Sequence, residues 1–145
     1  MINLQASYFA FENPLLRLER WFNSYQYRQL VSINQREVEV KWTDRAERKL
    51  RQGGDKVIVE LQLYFSCVVK KRVLFHNRVE FETVKVNDNI EMAFRPLASK
   101  ACNPREFAAS YPQGKNLSQG VAANMVPRKV EIDYRRGNWE GQFHY

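Results

Sequence analysis

Cysteine is scarce, long apolar runs are missing and histidine occurs twice, and each shortage removes a class of protein. The two cysteines, Cys67 and Cys102, are too few for a disulfide framework and lack the paired C-x-x-C spacing of zinc or redox sites, so both are expected as reduced thiols. The soft ligand inventory is Cys67, His76, Cys102 and His144, with the nearest two nine positions apart, whereas zinc sites usually take ligands in close pairs. No metal and no cofactor are expected. No apolar stretch approaches the roughly 18 residues of a membrane-spanning helix, which argues against a membrane partner. The opening Met1-Ile2-Asn3-Leu4-Gln5 has neither a basic region nor an apolar run after it, so no secretory leader is expected and the predicted compartment is cytoplasmic.

What is present is the composition of a folded domain. The 145 residues are 44% hydrophobic, 13% aromatic and 27% charged, enough apolar and aromatic material to offset the entropy of ordering. A chain of this length fits a single domain spanning residues 1–145. The net charge is +7, which favours polyanions through long-range attraction and counterion release. That charge is uneven. Residues 57–78 carry four basic side chains and one acidic, and residues 97–129 carry five and one, whereas residues 79–96 carry two and four.

Apolar alternation organises most of the chain. Ile2, Leu4, Ala6 and Tyr8 have strand period, and Asn13-Pro14 then opens a helix over about 14–24 on Leu15, Leu18 and Phe22. Residues 25–31 fit a strand or a fraying helix equally well. Val38, Val40 and Trp42 mark the next strand. Asp44 with Glu47 three residues on forms a capping-box pattern for a short helix over about 44–52, stopped by Gly53-Gly54 and expected over the sheet's rim. From Val57 to Val69 one phase is unbroken apolar, Cys67 included, and should face the core; Lys70-Lys71-Arg72 then leaves open a bent strand or a hairpin through 57–75. Val79–Val86 and Ile90–Arg95 read as strands separated by an Asn87-Asp88-Asn89 turn. Four of the five prolines fall in residues 96–128, read as a long irregular loop. Val130, Ile132 and Tyr134, then Trp139, Gly141 and Phe143, predict a closing hairpin. The fold class predicted is α+β: a curved antiparallel sheet or partly open β-barrel of six to seven strands with the two helices.

Chemical motifs are few. Glu80/Glu82 and Glu131/Asp133 each share a strand face, as a paired acid/base site needs, but the same spacing arises on any solvated face. Residues Ala109 to Asn116 lack the first glycine and the hydroxyl of a phosphate-binding loop. Cys102, between Lys100 and Arg105, is the more reactive thiol, with no histidine placed beside it by sequence. What remains is a set of cations with aromatics: Lys70, Lys71 and Arg72 on a strand, Lys100, Arg105 and Lys115 in the long loop, and Arg135 and Arg136 at a hairpin tip beside Trp139. On a curved sheet these would track phosphates, with Tyr64, Trp139 or His144 stacking on bases; alternatively the lysines and arginines guard strand edges. The function expected is a non-enzymatic binding domain, a protein–protein adaptor or assembly subunit with a protein partner or a homo-oligomeric one. Nucleic-acid binding through the basic surface and a small-ligand barrel are the alternatives.

Overall fold

The computed structural model describes residues 25–66, 68–98, 115–117 and 120–145. Within them, apolar alternation becomes strand. β1 (Tyr27–Ile33) and β2 (Arg36–Trp42) make a hairpin, followed by α1 (Asp44–Gly53) and a second hairpin of β3 (Val57–Phe65) and β4 (Val69–His76). Next come β5 (Val84–Lys85), β6 (Ile90–Ala98) and β7 (Lys115–Asn116), then a 3-10 turn (Ala122–Asn124) and a last hairpin of β8 (Lys129–Arg135) and β9 (Asn138–His144). The expected strand over residues 2–8 and helix over 14–24 lie outside the described residues, as do Cys67 and Cys102.

The single antiparallel sheet or partly open barrel is corrected to two mixed sheets, without a closed barrel among the described residues. The first sheet runs β1-β2-β8-β9; the second runs β4-β3-β6, with β5 and β7 both along the far side of β6. Each sheet is built on a central parallel pair, β2 with β8 and β3 with β6, flanked by antiparallel neighbours. Short connections dictate antiparallel pairing only between strands adjacent in sequence. They say nothing about β2 and β8, which pair across most of the chain.

The sheets pack face to face, with Val38, Val40, Val130 and Ile132 of the first meeting Val59, Leu61, Ile90 and Met92 of the second in one core cluster. Each such side chain contributes roughly 1.5–3 kcal/mol by leaving water. At one rim β9 runs against β4. Gly141 is required there, because a Cβ on it would lie 2.8 Å from Val73 Cγ1 and 2.9 Å from Phe75 Cζ.

The remaining differences have local causes. The stretch through 57–75 is a hairpin, with Phe65 opposite Val69, and the Lys70-Lys71-Arg72 run simply belongs to β4. The predicted strand over Val79–Val86 shrinks to Val84–Lys85, because Phe81 instead lies on the outward face of the second sheet, over the Arg95 guanidinium at 4.4 Å and edge-on to His76. The long loop begins later, since β6 continues through Pro96 to Ala98 and Pro96 O accepts from the Leu117 N–H at 2.8 Å. The cap of α1 is Thr43 rather than Asp44: Thr43 is extended, and its Oγ1 accepts from the Ala46 N–H at 3.2 Å. Glu47 is occupied elsewhere, accepting from Trp42 Nε1 at 2.6 Å and Arg51 Nε at 3.0 Å. Ala46 and Leu50 enter the main core, so α1 does more than cover a rim.

Candidate functional site

The cations singled out by sequence do not form one surface. Successive residues of β4 point to opposite faces, so Lys71 parts from Lys70 and Arg72. Lys71 Nζ donates to Phe143 O at 3.1 Å and lies 5.4 Å from the Phe143 ring, satisfying a carbonyl on the edge strand β9. Arg72 Nε donates to Gln62 Oε1 at 3.0 Å on the other face. Trp139 stacks on Phe75 at 5.8 Å and meets Tyr134 edge-on at 5.0 Å, so its ring is engaged within the protein. With Trp139 on Phe75, Gly141 on Val73 and Phe143 beside Lys71, β9 and β4 run in opposite directions. Arg135 and Arg136 therefore sit at the opposite end of β9 from Lys71, roughly 13 Å or more along the strand. Lys115 lies in β7, paired with Ala98; Lys100 and Arg105 lie outside the described residues.

Arg135 and Arg136 do gain a neighbour that the sequence does not reveal. Arg136 and Gly137 both take positive φ, 51° and 79°, forming the tight two-residue turn between β8 and β9. Against this end packs α1. Arg45 holds Asp133 through Nε and Nη2 at 3.3 and 2.7 Å, and Lys49, one turn further on, places Nζ 5.3 Å from the Tyr134 ring. Lys49 thus stands over Tyr134 at the same end of the β8–β9 hairpin as Arg135 and Arg136. The only sequence signal for it is the i,i+4 spacing of Arg45 and Lys49, which acquires meaning once α1 is known to lie on β8.

A polar cluster occupies the outward face of the second sheet. Glu60, on the central strand β3, is 2% exposed and Gln62 is 5% exposed. Glu60 Oε2 accepts from Gln62 Nε2 at 2.6 Å and Arg95 Nη1 at 3.1 Å, while Oε1 lies 2.8 Å from His76 Nε2. Register explains the meeting: Gln62 stands opposite Arg72 on β4 and Arg95 on β6, and Ile58 beside Glu60 stands opposite His76. The carboxylate, its histidine and its arginine are the ingredients of acid–base chemistry on an anionic substrate. Here they satisfy one another, and what they visibly do is fix three strands in register. Arg95 Nε alone is buried without a hydrogen-bond partner among the described residues.

The paired carboxylates are likewise engaged. Asp133 is 7% exposed, not solvated as expected, and its Oδ1 accepts from Thr43 Oγ1 at 2.5 Å in addition to Arg45. Glu131 pairs with Lys129 at 3.4 Å and lies 3.0 Å from His144 Nε2. Glu80 and Glu82 are exposed and outside any strand. Tyr64, at 1% exposure, is no stacking surface. Among the described residues no three His, Cys, Asp or Glu side chains come together as a metal site, and no helix is long and apolar enough to cross a membrane.

The remaining candidate is a backbone surface. β1 is an outer strand of the first sheet, paired on one side with β2 and with no strand on its other side among the described residues. Its turn, Asn34-Gln35, has φ of 50° and 64°, the two-residue hairpin loop whose flanking pair, Ile33 and Arg36, is hydrogen-bonded. Pairs then alternate, so Tyr27, Gln29, Val31 and Ile33 turn their N–H and C=O groups toward β2, and Arg28, Leu30 and Ser32 turn theirs outward. The phase is checked across β2, where Glu39, opposite Leu30, donates its N–H away from β1 to Arg128 O at 2.8 Å. Arg28, Gln29, Leu30 and Ser32 are exposed, Leu30 by 45%. Edge strands are usually protected by charged side chains, proline or a bulge. In Tyr27–Ile33 β1 carries no proline and no bulge, its one charged side chain, Arg28, lies 3.5 Å from Glu39 of β2, and across the rim it comes near the two-residue β5. The sequence hid this edge because residues 25–31 carry no decisive period.

Compared with known proteins, the chain matches no family model, no curated protein and no solved structure.

Proposed function

We propose that the chain is a non-enzymatic protein-binding domain, an adaptor or assembly subunit acting in the cytoplasm, and that it docks its partner along the open edge of β1. The observation carrying this reading is the row of outward backbone groups on Arg28, Leu30 and Ser32, beside the exposed Leu30 side chain. An extended segment laid along such a row gains main-chain hydrogen bonds, and the side chains of alternate residues add discrimination. The state of the carboxylates supports the same reading. Glu60, Glu131 and Asp133 are each held by neighbouring side chains, which leaves none of them poised as a free general base.

The test is capture of partners by the tagged full chain from its native lysate, with nuclease and at moderate salt, comparing wild type with Leu30→Lys. A specific protein should survive both treatments with the wild type and disappear with the variant. Equal recovery by both would contradict docking at β1.

Polyanion binding has one observation in its favour, the placing of Lys49 over Tyr134 at the end of the β8–β9 hairpin that carries Arg135 and Arg136. If it operates there, affinity for single-stranded nucleic acid falls steeply with salt, and Lys49→Glu with Arg136→Glu shallows that slope. A slope untouched by the pair of changes would remove this reading. The small-ligand barrel has no comparable support, since the facing sheets fill the space between them with side chains such as Val59, Leu61, Val130 and Ile132.

A further inference from the structure

We infer that the occupant of the β1 edge is a second copy of this chain, paired antiparallel to the first about a two-fold axis at Leu30. This rests on the docking-edge reading and names its partner. A two-fold axis through Leu30 sets Leu30 against its own copy, Arg28 against the other chain's Ser32, and Ser32 against its Arg28. Those are the three residues whose N–H and C=O groups face outward, so this register pairs both groups of each, as hydrogen-bonded pairs of an antiparallel ladder. A two-fold axis displaced to Arg28 or Ser32 leaves part of the row unpaired.

The side chains agree with that register. Arg28, Leu30 and Ser32 share the outward face of the sheet, so the 45% exposed Leu30 would lie against its copy. Each Arg28 would face a neutral Ser32 rather than another cation, while remaining beside Glu39 of its own chain, 3.5 Å away. Like charges directly opposed destabilise a ladder, and this arrangement opposes none. The pairing is isologous and closes on itself, giving a dimer instead of an open fibre, and it joins the two four-stranded sheets into one continuous sheet. No comparable edge remains at the other rim, where β9 packs against β4 and Lys71 takes up the Phe143 carbonyl.

The experiment is sedimentation velocity of the full chain from low micromolar to several hundred micromolar, combined with mild oxidation of two single-cysteine chains. These are Leu30→Cys and Ser32→Cys, each in a background carrying Cys67→Ser and Cys102→Ser. About the Leu30 axis, the two introduced Cys at position 30 have Cα atoms about 5.5 Å apart, within disulfide reach. The two at position 32 are separated by about 13 Å of strand, beyond it. The expected result is a doubling of mass with concentration, ready cross-linking of Leu30→Cys and little of Ser32→Cys. Leu30→Lys should stay monomeric throughout with an unchanged circular dichroism spectrum. A chain that is monomeric at every concentration, a dimer that cross-links equally through both positions, or one that survives Leu30→Lys overturns the proposal. A monomer whose partner capture is still abolished by Leu30→Lys overturns self-pairing while keeping the edge as the docking site; a monomer whose capture is unaffected overturns both.

Discussion

At the scale of single residues, two positions bind the architecture together without any trace in the local sequence. Gly141 stands where β9 passes Val73 and Phe75 too closely for a Cβ, and Val73 is a stiff β-branched neighbour unable to swing aside. Gly141→Ala should therefore cost about 1–3 kcal/mol through overpacking. Chemical denaturation measures it, and an unchanged midpoint would show that β4 and β9 can separate. Arg95→Leu should cost on the order of 2–3 kcal/mol by leaving the buried Glu60 carboxylate with fewer donors. Replacing Glu60 by Gln in the same chain should recover part of that loss, because the stranded charge is then removed as well. In the sequence, Glu60 and Gln62 fall in the mixed phase opposite the unbroken apolar one. Their burial depends on β4 and β6 flanking β3, and no reading of residues 57–65 alone contains that information.

Among the elements, α1 shows how much a local pattern reveals and where it stops. Its extent was legible from Asp44, Glu47 and the Gly53-Gly54 stop, and Gly54 does end it with φ at 66°. The capping residue differs by one position because Thr43 has a second use, donating to Asp133 on a strand 90 residues away in the chain. Thr43→Ala thus loses both the cap and the tether, and a destabilisation of about 1–3 kcal/mol is expected, with Thr43→Ser close to wild type. Thermal melting of the two variants checks this; equal melting points would reduce Thr43 to a spacer. The strands β2 and β8 were legible because their buried face imposes alternation on Val38-Val40-Trp42 and Val130-Ile132, and β3 because its core-facing phase, Val57 to Leu63, is apolar throughout although both its faces are buried. β1 was not, since an outer strand keeps Arg28, Gln29, Leu30 and Ser32 exposed and so loses the contrast that period-two reading relies on.

For the whole molecule, pairing order was the illegible part. Two parallel pairs link segments far apart in the chain, and apolar alternation identifies strands without naming their neighbours. The surface charge is better behaved, and much of it is arranged in pairs of opposite sign. Hydrogen bonds from Lys56 and then Thr83 hold the Glu91 carboxyl below its ordinary value of 4.5, and Lys41 does the same for Glu39. For a carboxyl lowered in the folded state, the unfolded chain binds more protons in acid, so the contribution is whole above the ordinary value and is lost as pH falls through the lowered one. Glu91→Gln should accordingly be less stable than wild type at neutral pH, with the difference vanishing in acid. Urea unfolding at several pH values reads it, and a gap that stays constant with pH would contradict the assignment.

Residue-resolved amide hydrogen exchange decides whether β1 is a docking edge. The isolated dilute chain is compared with the chain at high concentration and with any captured partner. Occupation of the edge predicts an alternating response: the amides of Arg28, Leu30 and Ser32 slow markedly, while those of Gln29 and Val31, already bonded to β2, change little. If an occupied chain shows no slowing at Arg28, Leu30 and Ser32, the partner binds elsewhere and the account of β1 is wrong.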